Sequence, residues 1–339
     1  MATPSTQKPT PEHIFNTLTS YQLAFALRAA IELELFTRVG EGADQPAVIA
    51  RAIGASERGT RILCDYMTIH GFLQKSNGKY SLSADSAVFL DKRSPAYLGT
   101  MAGFLTHEQN FRNFGALAEA VRKGGCVSQT GDNSAPNDEF WVRFAECMGP
   151  LAVPNAMFIA KLIDAASAKP MKILDIAAGH GMYGISIARQ NANAEVTALD
   201  WAPVLEVAKK NAERSGVAGR YSTRPGSAFE VDMGTGYDYV LLTNIFHHFN
   251  QADCTQLMKR VHAALKPGGK AITVEFVPNE DRVTPPTAAA FSLIMLGNTN
   301  EGDAYTFSEY ETMFTSAGFK NTSLHPVPEM PQQVILAEK

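Results

Sequence analysis

Apolar positions change their period twice along this chain. Over residues 11 to 39, Leu23, Phe25, Ala26, Ala30, Leu33 and Phe36 recur at helical spacing, which predicts one or two long helices. Pro46 then stands near a helix start, Gly54 breaks that helix, and Ser56 is placed to cap another through Ile62, Leu63, Tyr66 and Ile69. Two short strand-like pieces follow, joined at Asn77-Gly78, the strongest short hairpin signal because both residues tolerate positive φ. Helix, turn, helix and hairpin is the outline of a winged helix. Residues 97 to 165 read as mostly helical, interrupted at 122 to 138 by the polar RKGGCVSQTGDNSAPND, expected to be a loop.

From Lys172 onward the pattern alternates between strand and helix. KILDI, EVTALD, YDYVLLTNI and KAITVEFV are buried, β-rich runs, separated by helical stretches such as PVLEVAKKNAERSG and QADCTQLMKRVHAALKPGG. Such alternation predicts an α/β, Rossmann-like doubly wound parallel sheet. The expected organisation is a winged-helix domain over 1–100, a helical connector over 101–165 and a ligand-binding α/β domain over 166–339.

Composition narrows the function. The 339 residues carry a net charge of −4, and the first 100 hold ten Lys and Arg against nine Asp and Glu. A DNA-reading winged helix needs a basic face, yet Arg58 and Arg61 share their stretch with Glu57 and Asp65. Dimerisation or lid duty is therefore expected of this domain, with no nucleic-acid partner. A ligand sensor that reads DNA is the non-enzymatic alternative. No run of about 18 apolar residues occurs and the start is polar and Pro-rich, so no membrane span or secretory signal is expected and the location should be cytoplasmic. Cys64, Cys126, Cys147 and Cys254 are scattered, which predicts buried, reduced thiols and no metal site.

The segment ILDIAAGHGMYG, residues 173–184, contains G-x-G-x-x-G. In a dinucleotide fold this loop faces a pyrophosphate, and an acid beside it would be repelled. Here Asp175 ends the strand four residues before Gly179, a place that suits a cationic ligand better than an anionic one. Gly179 and Gly181 are expected to let the backbone approach that ligand. Asp200 ends the next strand, where an acid can accept both hydroxyls of a ribose. A nucleoside-type ligand follows, with a dinucleotide oxidoreductase as the weaker alternative.

Taken together, ILDIAAGHG, VTALD, PGSAF, YDYVLLTNIFHHF, LKPGGKAITVEF and YTFSEYETMFTSAGF resemble the successive motifs of class I S-adenosylmethionine-dependent methyltransferases. More narrowly they are similar to the O-methyltransferase family of plant phenolic, hydroxyindole and bacterial polyketide or carotenoid enzymes, whose dimerisation domain is a winged helix. The resemblance spans nearly the whole chain and implies a homodimer, S-adenosyl-L-methionine as cofactor and S-adenosyl-L-homocysteine as product. It assigns Asp175, Gly179 and Gly181 to the methionine end of the cofactor and Asp200 with Trp201 to the ribose. Gly226, Ser227, Ala228, Phe229 and Phe249 fall to the adenine, and Asn244 to the cofactor edge. Ser227 stands where the family usually has an acid, so its hydroxyl is expected to meet the adenine. Ala177 replaces the first family glycine, at little cost if its φ is negative.

The same resemblance makes His247 the base that takes the acceptor's proton and Glu275 the glutamate that orients it. A second flanking glutamate of the family falls at Ala304, which leaves His247 held on one side. An imidazole suits proton abstraction near neutral pH. Phe140, Phe144 and Met148, with His248, Phe291, Met295 and Asn298, match the family's substrate-lining positions. The expected acceptor is a hydroxyl on a small, largely apolar or aromatic metabolite of secondary metabolism; a sulfur or other atom on the same cofactor site is the alternative.

Overall fold

The computed structural model describes residues 9–127 and 138–339. The chain divides into two compact units, Met1–His107 and Glu108–Lys339.

In the first unit the helices are α1 (Glu12–Thr19), α2 (Tyr21–Glu32), α3 (Leu35–Gly40), α4 (Pro46–Ile53) and α5 (Glu57–Ile69). The hairpin β1 (Leu73–Ser76) and β2 (Lys79–Leu82) follows, then α6 (Ala84–Phe89) and α7 (Ala102–Leu105). The first apolar stretch thus makes three helices, parted at Ser20 and again where Glu34 turns left-handed at φ 57°. Pro46 takes the first turn of α4, Gly54 closes it at φ 67°, and the Ser56 side chain accepts from Gly59 N. Asn77 and Gly78 adopt φ 50° and 76° and set the register Ser76↔Lys79. Leu35, Phe36, Ile49, Met67, Leu73 and Tyr80 form its core. On α1 and α2, Ile14, Phe15, Leu18, Tyr21 and Phe25 remain exposed.

The second unit begins with α8 (Glu108–Gly115), α9 (Leu117–Lys123) and α10 (Asp138–Leu162). The loop expected at 122–138 lies for the most part outside the described residues. Then come β3 (Met171–Ile176), α11 (Met182–Gln190), β4 (Ala194–Asp200), α12 (Ala202–Arg214), β5 (Tyr221–Pro225) and β6 (Tyr237–Thr243). The chain finishes with α13 (Gln251–Ala264), β7 (Leu265–Glu275), α14 (Pro286–Asn298), α15 (Phe307–Ser316), β8 (Lys320–Pro326) and β9 (Gln333–Glu338).

The seven strands run in the order β5-β4-β3-β6-β7-β9-β8. Strands β5 to β7 are parallel, whereas β9 pairs antiparallel with both β7 and β8. The sheet is therefore mostly, not wholly, parallel. Successive side chains of a strand point to opposite faces, and Ile173 joins the core under α10, α11 and α12 while Leu174 joins the one under α13 and α15. Burial on both faces explains the continuous apolar runs. One boundary differs from the sequence reading: β7 starts at Leu265, ahead of the expected Lys270, because Leu265 pairs with Tyr237 before the register shifts.

Candidate active site

The parallel strands β3, β4, β6 and β7 end on one edge of the sheet, which brings Asp175, Asp200, Asn244 and Glu275 together although 100 residues separate the first from the last. Ligands of open α/β sheets bind at this edge.

The loop after β3 turns left-handed at Ala177, Gly179 and Gly181, with φ of 52°, 55° and 75°. Ala177 thus has the positive φ at which a Cβ is strained, contrary to the inexpensive negative value expected of it. Around Gly179 an added Cβ would meet nothing nearer than 3.9 Å, so the loop is open there. Gly181 is closely packed: a Cβ would lie 2.5 Å from Tyr221 Oη and 3.1 Å from Ala208 Cβ.

Asp175 is wholly enclosed beneath this loop. One carboxylate oxygen accepts from Gly184 N at 3.1 Å and the other has no partner. Through Gly184 it holds the start of α11. Burial pushes its carboxyl up to about 7. The Asp200 carboxylate accepts from Gly179 N at 2.8 Å and Trp201 N at 2.7 Å, and burial pushes it up to about 6. Among the described residues no cationic side chain pairs with either acid. His180 supplies none: desolvation lowers it to about 4, and its Nδ1 accepts from Met182 N at 3.1 Å. Two buried acids without a counter-charge, beside an open glycine, fit a cationic nucleoside and would repel a pyrophosphate.

Along the same edge Gly226 N donates to Asp200 O at 2.9 Å. The Ser227 hydroxyl accepts from Phe229 N at 3.2 Å, which leaves its proton to donate elsewhere. Phe229 meets Phe249 at 4.9 Å between centroids and 70° between planes, with Ala228 beside them in the core.

Strand β6 ends at Thr243, Asn244 after it is left-handed at φ 55°, and a tight turn over Phe246–His248 follows. Glu275 closes β7 directly behind this turn. One of its oxygens accepts from Phe246 N at 2.9 Å and the other meets His247 Nδ1 at 2.6 Å. A carboxylate only accepts, so Nδ1 is the donor of this pair, and in the neutral ring the lone pair then lies on Nε2. Among the described residues Glu275 is the acid hydrogen-bonded to the ring, Ala304 is buried, and the rings of His248 and Phe291 lie 4.3 Å and 4.9 Å from the imidazole. His248 stays neutral, lowered by desolvation first and by His247 second.

Aromatic rings surround the pair. Phe291 stacks on Phe276 at 3.9 Å, and Trp141 stands edge-on to His248 at 5.3 Å and to Phe144 at 5.7 Å. Phe144 and Met148 are half-buried on the Trp141 face of α10, whereas Phe140 is buried. Met295 and Asn298 are buried too, and Asn298 accepts from Asn113 Nδ2 of α8 at 2.8 Å.

Sequence reasoning missed Trp141, although positions 141, 144 and 148 share a helix face more closely than 140 does. It also missed a polar array in which Asn155 Nδ2 donates to Gln332 at 3.1 Å, Gln332 Nε2 to Asn244 at 3.4 Å, and Asn244 Nδ2 to Tyr183 Oη at 3.3 Å. No local signal marks these contacts across 177 residues. Among the described residues no group of His, Cys, Asp and Glu could hold a metal, and no helix is long and apolar enough to cross a membrane.

Comparison with known proteins bears on the assignment directly. Residues 139–320 match the O-methyltransferase domain and residues 15–92 the O-methyltransferase dimerisation domain. The chain is 28% identical to 3-hydroxy-5-methyl-1-naphthoate 3-O-methyltransferase of Streptomyces sahachiroi over 86% of its own length and 84% of that protein's. A crystal structure of a candidate O-methyltransferase from Nostoc punctiforme superposes with a TM-score of 0.94 at 47% identity, covering 98% of this chain and 100% of that one. Human N-acetylserotonin methyltransferase, in complex with S-adenosylmethionine, shares the fold at a TM-score of 0.85 and 22% identity, over 99% of both chains. An acid-lined nucleoside edge, a histidine–glutamate pair and these matches lead to one conclusion: the chain belongs to the O-methyltransferase family and is an S-adenosylmethionine-dependent enzyme of that type.

Proposed function

We propose that this enzyme methylates a hydroxyl on a small, flat, largely apolar aromatic metabolite, with His247 as general base and Glu275 orienting it. The observation that carries the reading is the 2.6 Å pairing of His247 Nδ1 with Glu275 on a turn faced by Trp141 and Phe291, with Phe144 against Trp141. The naphthoate acted on by the Streptomyces relative is a hydroxylated aromatic of this kind.

Gly179, Asp200 and Trp201 would hold the amino-acid and ribose parts of S-adenosyl-L-methionine, and Ser227, Ala228, Phe229 and Phe249 the adenine, with Gly226 shaping the turn and Asn244 bordering the sulfur. When bound, the sulfonium supplies an activated methyl and a neutral leaving group. The protein's work is then to align the acceptor, exclude water and free the nucleophile's lone pair. Alignment can supply an effective molarity of roughly 10⁵ to 10⁸ M, against about 10² to 10⁴-fold from a general base. The aromatic walls therefore contribute most of the acceleration. Nε2 of His247 takes the hydroxyl proton, and Glu275 stabilises the imidazolium that results.

The N-terminal domain would join two copies through the exposed apolar side chains of α1 and α2. The acceptor itself is found by incubating metabolite extracts with labelled donor, using His247→Ala enzyme as the control. A labelled product whose methyl sits on carbon, nitrogen or sulfur would overturn the hydroxyl assignment.

A further inference from the structure

The turn that carries His247 is held at more points than the carboxylate that meets its ring. At its far end the Tyr305 hydroxyl donates to Phe249 O at 2.6 Å. At its near end the Cys254 thiol donates to Phe246 O at 3.3 Å and reaches Phe249 O at 3.6 Å. Between them, Gly302 lies so close that an added Cβ would sit 2.2 Å from His247 O. Asn250 Nδ2 donates to Glu301 at 2.5 Å, tying the residue after the turn to the same segment. Residues 299–306 follow the wall helix α14, and Gly302 N is itself fixed by Thr299 Oγ1 at 2.9 Å.

The turn's two outward carbonyls thus have donors from α13 and from the segment before α15, while Glu275 binds its first N–H and the imidazole. Tyr305 and Cys254 are buried, and neither touches the reacting atoms; burial raises both well above their ordinary values, so both stay protonated donors. We propose that Tyr305, assisted by Cys254, is a positioning residue that fixes the orientation of the Phe246–Phe249 turn and so aims His247. With a single carboxylate on the imidazole, rotation of the turn would tilt the ring about its Nδ1 contact. The Tyr305 hydroxyl opposes that rotation. A misplacement of about 1 Å at such a site lowers turnover by about 10²-fold.

The consequence for turnover rests on the reading of His247 as base, but the brace can be tested without any acceptor. Enzyme saturated with S-adenosyl-L-homocysteine is prepared with nitrogen-labelled histidine rings, and the His247 signals are assigned by their loss in His247→Ala. Tyr305→Phe removes one oxygen. It is expected to shift the His247 ring nitrogens and to speed exchange of the Nδ1 proton with water about fivefold, the effect of one neutral hydrogen bond. S-adenosyl-L-homocysteine affinity should change less than twofold. Cys254→Ala should move the same signals, and Cys254→Ser, which restores a donor, should return them. Wild-type His247 signals in Tyr305→Phe would overturn the proposal, since a merely structural tyrosine alters melting and leaves the imidazole alone. Should Tyr305→Phe yield no folded protein, the Cys254 pair decides: unchanged His247 signals in Cys254→Ala are equally fatal. Neither result depends on whether the acceptor proves to be a hydroxyl.

Discussion

The Glu275 carboxylate meets His247 Nδ1 at 2.6 Å while its second oxygen accepts from the backbone of Phe246, one residue earlier, at 2.9 Å. One buried side chain thereby sets both the ring and the turn that bears it. Replacing His247 with Ala should lower turnover of a hydroxyl acceptor by about 10² to 10⁴-fold, with cofactor affinity nearly unchanged. Steady-state kinetics and calorimetry on the same preparation check this, and undiminished turnover would remove His247 from the chemistry.

Glu275→Gln and Glu275→Ala should part company. The amide of Gln still offers an oxygen to one partner and loses the charge that stabilises an imidazolium, so kcat falls while the fold is kept. Ala leaves the Phe246 N–H buried without an acceptor, which costs about 1–3 kcal/mol. Melting curves should therefore drop clearly for Ala and little for Gln; equal losses would mean that Glu275 has no backbone role.

The acids of the cofactor edge make binding depend on pH. Burial raises Asp175 to about 7 and Asp200 to about 6. A raised carboxyl is protonated in the folded state over a range where the unfolded chain is ionised. Its contribution is fully present below its ordinary value and is lost as pH rises through about 6 to 7. The ligand-free enzyme should lose stability as pH rises from the ordinary carboxylate range up to that interval, and level off above it. A sulfonium favours the ionised acids, so S-adenosyl-L-methionine should bind more tightly as pH rises through it, by up to about tenfold per unit for each proton released. S-adenosyl-L-homocysteine lacks the sulfonium charge and should respond less. Parallel titration curves for the two would contradict this account.

Ala177 and Gly181 are both left-handed, at φ 52° and 75°, and substitutions there should act in opposite directions. Ala177→Gly relieves the strained Cβ and should stabilise by roughly 0.5–1 kcal/mol. Gly181→Ala introduces that strain and also drives a methyl into Tyr221, and should destabilise by more than the first gains. Denaturant midpoints measure both.

Much of this molecule could be read from the chain. Asn77-Gly78 specified its hairpin because few residues accept two consecutive positive φ values, and Ser56 specified a helix start because its side chain satisfies an orphan N–H locally. The strand–helix alternation and the acid near the end of each of two strands were also visible, since motifs at strand ends keep a fixed place in a parallel sheet, and the resemblance to a known family had set His247 beside Glu275, which meet at 2.6 Å.

What the chain alone could not show depends on distant neighbours. Only the fold put Asp175 under the loop with one oxygen on Gly184 N, and set Gly181 against Tyr221. It alone turned Trp141 toward His248 with Phe140 behind it, and brought Tyr305 within 2.6 Å of Phe249 O. Periodicity tells which side of an element is covered, because that follows from local geometry. It carries no record of which residue, tens or hundreds of positions away, does the covering, and that choice is made only when the sheet closes its order and the helices settle onto its two faces.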